Sequence, residues 1–173
     1  MQGQKKYTNQ TFTKRVDHEA GRHHTARAMT EPAVCKVCGD VYADRRWTVP
    51  EPEAQSEKHP HFRPATQVVC PACQRQEEGV PSGYVYLEGA FFAAHRDEIK
   101  RLIQNEIERT AVKNPLARMM EWEDEGTEKA TITTTTEHLA QRLGHALEKA
   151  FDGEVRYDFS HENKLARVYW RRG

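Results

Sequence analysis

Cys35-Lys36-Val37-Cys38-Gly39 and Cys70-Pro71-Ala72-Cys73 are two Cys-x-x-Cys pairs, and between them they hold all four cysteines of the chain. A Cys-x-x-Cys turn aims both sulfurs at one ion while backbone N–H groups of the turn donate to them. Gly39 permits the positive φ that such a knuckle needs. Two turns complete a tetrahedral thiolate set, which suits Zn2+ at about 2.3 Å from each sulfur. An iron site of the rubredoxin kind uses the same ligands and stays open as an alternative. Two disulfides would need an oxidising compartment, for which no targeting signal is seen, and a redox Cys-x-x-Cys ordinarily occurs once, at a helix start. Four thiolates leave no coordination position for an activated water, so the expected ion is structural: one zinc that supplies folding free energy to a module with a small apolar core.

Outward from the pairs, strand-like runs at residues 41–47, 66–70 and 83–91 complete a zinc ribbon expected over residues 31–92. Its halves are separated at residues 48–64 by a stretch with Pro50, Pro52, Pro60 and Pro64, read as an exposed irregular insertion. His59 and His61 fall in it and read as solvated loop residues, since four thiolates already suffice. Residues 1–30 carry Lys5, Lys6, Lys14, Arg15, Arg22 and Arg27 against Asp17 and Glu19, without apolar periodicity, which predicts a disordered basic arm. The 26 basic and 26 acidic residues of the 173-residue chain cancel, but this arm and the mildly basic stretch from Glu154 onward are ends that can attract a polyanion such as RNA. No run approaches the roughly 20 apolar residues that cross a bilayer, and no apolar signal core opens the chain, so a cytoplasmic protein without a membrane partner is expected.

Residues 93–173 change to long periods. Ile99, Leu102, Ile103, Ile107 and Ala111 recur at spacings of three and four, which predicts a helix over 95–113 with Asp97 and Glu98 in its first turn and Asn114-Pro115 as its stop. Strands follow at 117–123 and 129–134. Thr134 stands three residues before Glu137, the spacing of a capping box, and opens a helix to Phe151 with Leu139, Leu143, Leu147, Ala150 and Phe151 inward. Strands at 154–160 and 164–171 close the chain. The expected fold class is therefore α+β: a zinc ribbon, then an α-β-β-α-β-β domain. Its four antiparallel strands would carry both helices on one face, as in a ferredoxin-like plait whose first strand has moved to the end.

Catalytic signatures are missing: there is no Gly-rich phosphate loop, nucleophile elbow or His-Glu-x-x-His motif. Glu121, Glu123, Asp124 and Glu125 form an acidic cluster best read as a charged turn, and Thr133 to Thr136 read as strand and cap before they read as a phosphate site. His138 and His145 share a helix face without a ligand pattern. In the last two strands, alternation places Arg156, Arg167, Tyr169 and Arg171 on the face away from the helices, where cations meet phosphate and a ring stacks a base. Lys36, Arg45, Arg46, Trp47 and Arg75 form a second such group in the ribbon.

The double Cys-x-x-Cys head, the segment Gly89-Ala90-Phe91-Phe92-Ala93-Ala94-His95-Arg96, and Thr135 to Gly144 together resemble small bacterial zinc-ribbon proteins. These are similar to the N-terminal part of the archaeal and eukaryotic nuclear-export adaptor of the large ribosomal subunit. The resemblance covers about residues 33–172, and only Cys35, Cys38, Cys70 and Cys73 carry over, as metal ligands. The adaptors have more Cys-x-x-Cys pairs and further domains, so export does not transfer. A ribosomal or other structured RNA partner is what the resemblance implies. The resulting expectation is a non-enzymatic RNA-binding zinc protein. The alternatives are a protein–protein adaptor docking through its ribbon and an RNA-processing hydrolase.

Overall fold

Three-residue strands build a first sheet in the computed structural model, which describes residues 30–50 and 65–173. The expected basic arm, apart from Thr30, and residues 51–64 of the insertion, with His59 and His61, lie outside the described residues. Strands β1 (Ala33–Cys35), β2 (Val41–Ala43), β3 (Arg46–Thr48) and β4 (Thr66–Val68) are ordered β3-β2-β1-β4. β1 pairs antiparallel with β2 and parallel with β4. The single run expected at 41–47 is a hairpin. Asp44 and Arg45 take φ of 52° and 59°, the consecutive left-handed residues that match a two-residue turn to the twist of its strands. The Glu31 carboxylate fixes that turn by accepting from both amides, at 3.0 and 3.1 Å. Helix α1 (Pro71–Glu78), not expected from periodicity, starts with Pro71 inside its first turn and ends at Gly79 in the left-handed region.

The second sheet corrects the expected topology. Its elements are β5 (Gly83–Glu88), α2 (Ala90–Ala94), α3 (Arg96–Lys113), β6 (Met119–Asp124), β7 (Lys129–Thr134), α4 (Glu137–Phe151), β8 (Glu154–Ser160) and β9 (Leu165–Arg171). The strand order is β6-β7-β5-β9-β8. There are five strands rather than four, and the sheet is mixed: β5 lies antiparallel to β7 but parallel to β9. β5 was expected in the metal module; it is instead the central strand here. Its alternation of Val85 and Leu87 with Tyr84 and Tyr86 fits any half-buried strand, and only long-range pairing decides which sheet receives it. The chain is thus α+β with two sheets and four helices among the described residues.

Val85, Leu87, Ala130, Ile132, Ala166, Val168 and Trp170 point to one side of this sheet and form one core with Ile99 and Ile103 of α3 and Leu139, Leu143 and Leu147 of α4. At the crossing of β5 with α4 a side chain has no room: a Cβ on Gly83 would overlap Thr134 Oγ1 and come within 2.6 Å of Ala140 Cβ. The α4 cap also differs from expectation. Thr136, not Thr134, is the N-cap, its hydroxyl accepting from the Leu139 amide at 3.2 Å, while Thr134 ends β7 and donates to the Thr136 carbonyl. No helix of the described residues is long and apolar enough to cross a membrane.

Residues between α3 and β6 join the two sheets. Leu116 packs on the cysteine cluster, Ala117 is buried in the core of the second sheet, and Arg118 points back to the cysteines.

Candidate metal centre

The sulfurs of Cys35, Cys38, Cys70 and Cys73 all lie within 4.8 Å of one another, positioned to bind one metal ion. Cys38 and Cys70 Sγ are 3.7 Å apart. A tetrahedron with metal–sulfur bonds of about 2.3 Å has edges of about 3.8 Å, so the spacing fits four ligands around one centre. All four thiols are free, and 3.7 Å far exceeds the ~2.05 Å of a disulfide.

Each pair is placed by different backbone chemistry. Cys35 ends β1, and its turn closes when Cys35 N donates to the Asp40 carbonyl at 2.8 Å and Gly39 N to the Cys35 carbonyl at 2.9 Å. Gly39 has φ 84°, the left-handed value anticipated for the knuckle. Cys70 is the N-cap of α1; its sulfur accepts from Cys73 N at 3.4 Å, and its own N–H donates to Cys35 Sγ at 3.3 Å. The second pair therefore does sit at a helix start, where a redox pair would. What sets it apart is that both sulfurs of the first pair share the same small volume. Around them pack Trp47, Ala72, Tyr42, Val68, Val69 and Leu116. Trp47, grouped in sequence with an exposed basic patch, is 5% exposed and belongs to this core instead, because β3 turns it inward between Arg46 and Thr48.

The thiols are electrostatically unequal. Burial opposes ionisation of Cys35, yet backbone N–H groups of Cys38, Cys70 and Val37 donate to it and bring its pKa down to about 6. Burial pushes Cys70 well up and raises Cys38 as well. Metal uptake must displace the protons those two retain.

Arg118 is the residue that sequence reasoning missed. Its guanidinium donates to Cys38 Sγ at 3.2 Å, Cys73 Sγ at 3.3 Å and the Asp40 carboxylate at 2.7 Å. It also reaches Gln76 at 3.3 Å, and Nε donates to the Pro115 carbonyl at 2.9 Å. Burial works against its charge, but the bonds to Cys38 and Cys73 outweigh that and raise its pKa. It lies 80 positions from Cys38 in the chain, so no local motif could have found it.

The remaining candidates divide. Arg45 and Arg46 are exposed at the β2–β3 turn and edge. Arg156, Arg167, Tyr169 and Arg171 lie on the sheet face away from the helices, and β5 adds Tyr84 and Tyr86 to them. The Tyr86 and Tyr169 rings stack at 4.8 Å, Tyr84 and Tyr86 at 6.1 Å, and the Arg156 and Arg167 guanidiniums lie 4.2 and 5.8 Å from the Tyr169 and Tyr84 rings. Burial raises the pKa of the Tyr86 hydroxyl despite a hydrogen bond from Arg167. Sequence alone does not gather these two tyrosines here, because the run at 83–91 reads as part of the zinc ribbon.

Within the acidic cluster, Asp124 is held by several partners. Asp124 accepts from Trp122 Nε1 at 2.8 Å and from Arg96, with Lys100 at 3.8 Å, and its carboxyl is held below the usual range. Thr134 and Thr135 are buried, and Thr135 Oγ1 donates to the Leu116 carbonyl, so only Thr136 faces the helix start. His138 and His145 are not among the sulfur cluster; the His145 ring lies 5.4 Å from that of Tyr157, and burial lowers its pKa. Comparison of the chain with protein-family models, with curated proteins and with solved structures finds no match.

Proposed function

We propose that this chain is a non-enzymatic zinc protein of the ribbon type that binds ribosomal or other structured RNA, with the open face of the second sheet as its contact. Zinc, rather than iron, is the reading for the four thiolates because it prefers a closed tetrahedral thiolate site with no redox role. Residues Cys35, Cys38, Cys70 and Cys73 would hold it, and the ion would contribute folding free energy rather than an activated water.

The observation that carries the RNA reading is the row of Tyr84, Tyr86 and Tyr169 with Arg156 and Arg167 against its rings. Aromatic rings on a sheet stack unpaired bases, and guanidiniums beside them bind phosphate and stack in turn. Charge limits the footprint. Glu121 and Glu123 lie along β6 on the same face, so a polyanion is accommodated over β5, β9 and β8 and repelled from the β6 edge. The family resemblance points to the same class of partner.

The test is a salt titration of binding between the zinc-loaded full chain and ribosomal RNA fragments. Replacing Arg156, Arg167 and Arg171 together with Ala should weaken binding by at least tenfold and lower the salt slope by roughly three. An unchanged slope removes the sheet face from the account.

A protein adaptor is the second reading, and one observation favours it. Glu88, Glu154 and Asp158 stand among the arginines of β8 and β9, with Asp158 Oδ2 3.6 Å from Arg156. Tyrosine and arginine within a nearly neutral surface also suit a protein partner. Capture of one protein from nuclease-treated extract, lost on Tyr84→Ala and Tyr86→Ala, would replace the RNA reading with this one.

A further inference from the structure

We infer that Arg118 is an outer-shell partner of the metal that fastens the four-sulfur centre to the second sheet, so that holding the ion and docking the two sheets are one linked equilibrium. The inference rests on the metal reading above but concerns a residue outside the ligand set. Three observations carry it.

First, one side chain reaches most of the site. Two of the four sulfurs accept from the Arg118 fork at 3.2 and 3.3 Å, and Cys70 Sγ lies 3.9 Å from the same nitrogen that holds Asp40. Cys35, the remaining sulfur, has backbone donors instead. Donors to a metal-bound thiolate withdraw electron density from sulfur and slow its protonation or attack by electrophiles, the steps through which such sites lose their ion. Asp40 also offsets the positive charge of Arg118. The contribution of Arg118 is therefore directional: the carboxylate aims the planar fork at the sulfurs, which a lysine could not reproduce.

Second, the backbone of Arg118, just ahead of β6, is held from the side of the other sheet. Its N–H donates to Thr135 Oγ1 at 2.8 Å and its carbonyl accepts from Thr135 N at 2.9 Å. Thr135 is buried and bridges β7 to α4, so the segment that presents the guanidinium is pinned to the larger core.

Third, Leu116 and Ala117 anchor neighbouring positions in opposite directions, Leu116 against the cysteine cluster and Ala117 in the second core. Protonation of the freed sulfurs would turn two charged acceptors of the partly buried Arg118 into weaker, neutral ones, a costly change around a charge. Losing the ion should therefore loosen this turn as well as the knuckles.

The test uses the zinc-loaded full chain with Arg118→Met and Arg118→Lys. Zinc transfer to an excess of coloured chelator should be about 10–100-fold faster in Arg118→Met, with Arg118→Lys in between, the range usual for outer-shell changes. With cobalt in place of zinc, the sulfur-to-metal charge-transfer band should move to lower energy in Arg118→Met, a signature that loss of packing alone does not produce. Hydrogen exchange at the Thr135 amide should rise when the wild type is stripped of metal, and be raised already in metal-loaded Arg118→Met. Transfer within twofold of wild type, with an unmoved cobalt band, overturns the inference while leaving the metal site intact. Should Arg118→Met not fold, the same two readings on Arg118→Lys decide. A wild type that takes up no metal overturns the metal reading itself, which is a separate result.

Discussion

Around the sulfurs, strands are three residues long and the buried apolar side chains besides the cysteines are Ala33, Trp47 and Ala72; in the second sheet, strands run to six or seven residues around Trp170, Phe92 and a set of Ile, Leu and Val. Each buried Leu, Ile or Phe of the larger core contributes roughly 1.5–3 kcal/mol, so that core can support its own backbone. The smaller cluster has few such contributions to set against the entropy of ordering its turns, which is where a bound ion would act. The contrast teaches that the two sheets differ in how far apolar burial alone can order them, and that Arg118 lies where they meet.

The contrast can be broken most severely at a ligand. Cys70→Ser removes a sulfur that also caps α1, and should abolish stoichiometric metal binding and leave β1 to β4 unprotected, while β5 to β9 keep their exchange protection. Equal loss in both sheets would mean a single cooperative unit. The converse substitution is Trp170→Ala. Trp170 is 1% exposed and donates to the Asp152 carbonyl at 2.8 Å, so truncation should cost the second sheet about 3–5 kcal/mol in denaturant unfolding. Metal stoichiometry should be unaffected.

A smaller effect sharpens the picture of the site. Cys35, held near pH 6, is already thiolate at pH 7.5, whereas Cys38 and Cys70, raised by burial, still carry protons. Zinc uptake at pH 7.5 should then release fewer than four protons, measured from the buffer dependence of the binding heat, with the number rising as pH falls through about 6. The sign follows from the depressed pKa: stabilisation of the Cys35 thiolate is present at high pH and lost as pH falls through that value. Release of four protons at pH 7.5 would show that the backbone donors do not lower Cys35.

Local chemistry made much of this legible. The Cys-x-x-Cys spacing marked the four cysteines that come together in position to bind an ion, Gly39 the left-handed knuckle, and the three-four period of Ile99, Ile103, Leu139 and Leu143 both long helices. What stayed hidden was non-local. Nothing in Gly83 to Glu88 distinguishes a strand that pairs with β7 and β9 from one that pairs with its sequence neighbours, so the sheet that receives this strand and its two tyrosines is not legible locally. Trp47 reads as exposed beside Arg45 and Arg46 until the hairpin turns it inward. Arg118 approaches sulfur only through the folded turn at 114–118.

Native mass spectrometry of the full chain, prepared under reducing conditions, combined with hydrogen exchange before and after chelation, tests the central claim most directly. The expected result is one zinc per chain, with exchange protection of β1 to β4 lost when it is removed. A chain that carries no metal and protects those strands equally well would contradict it.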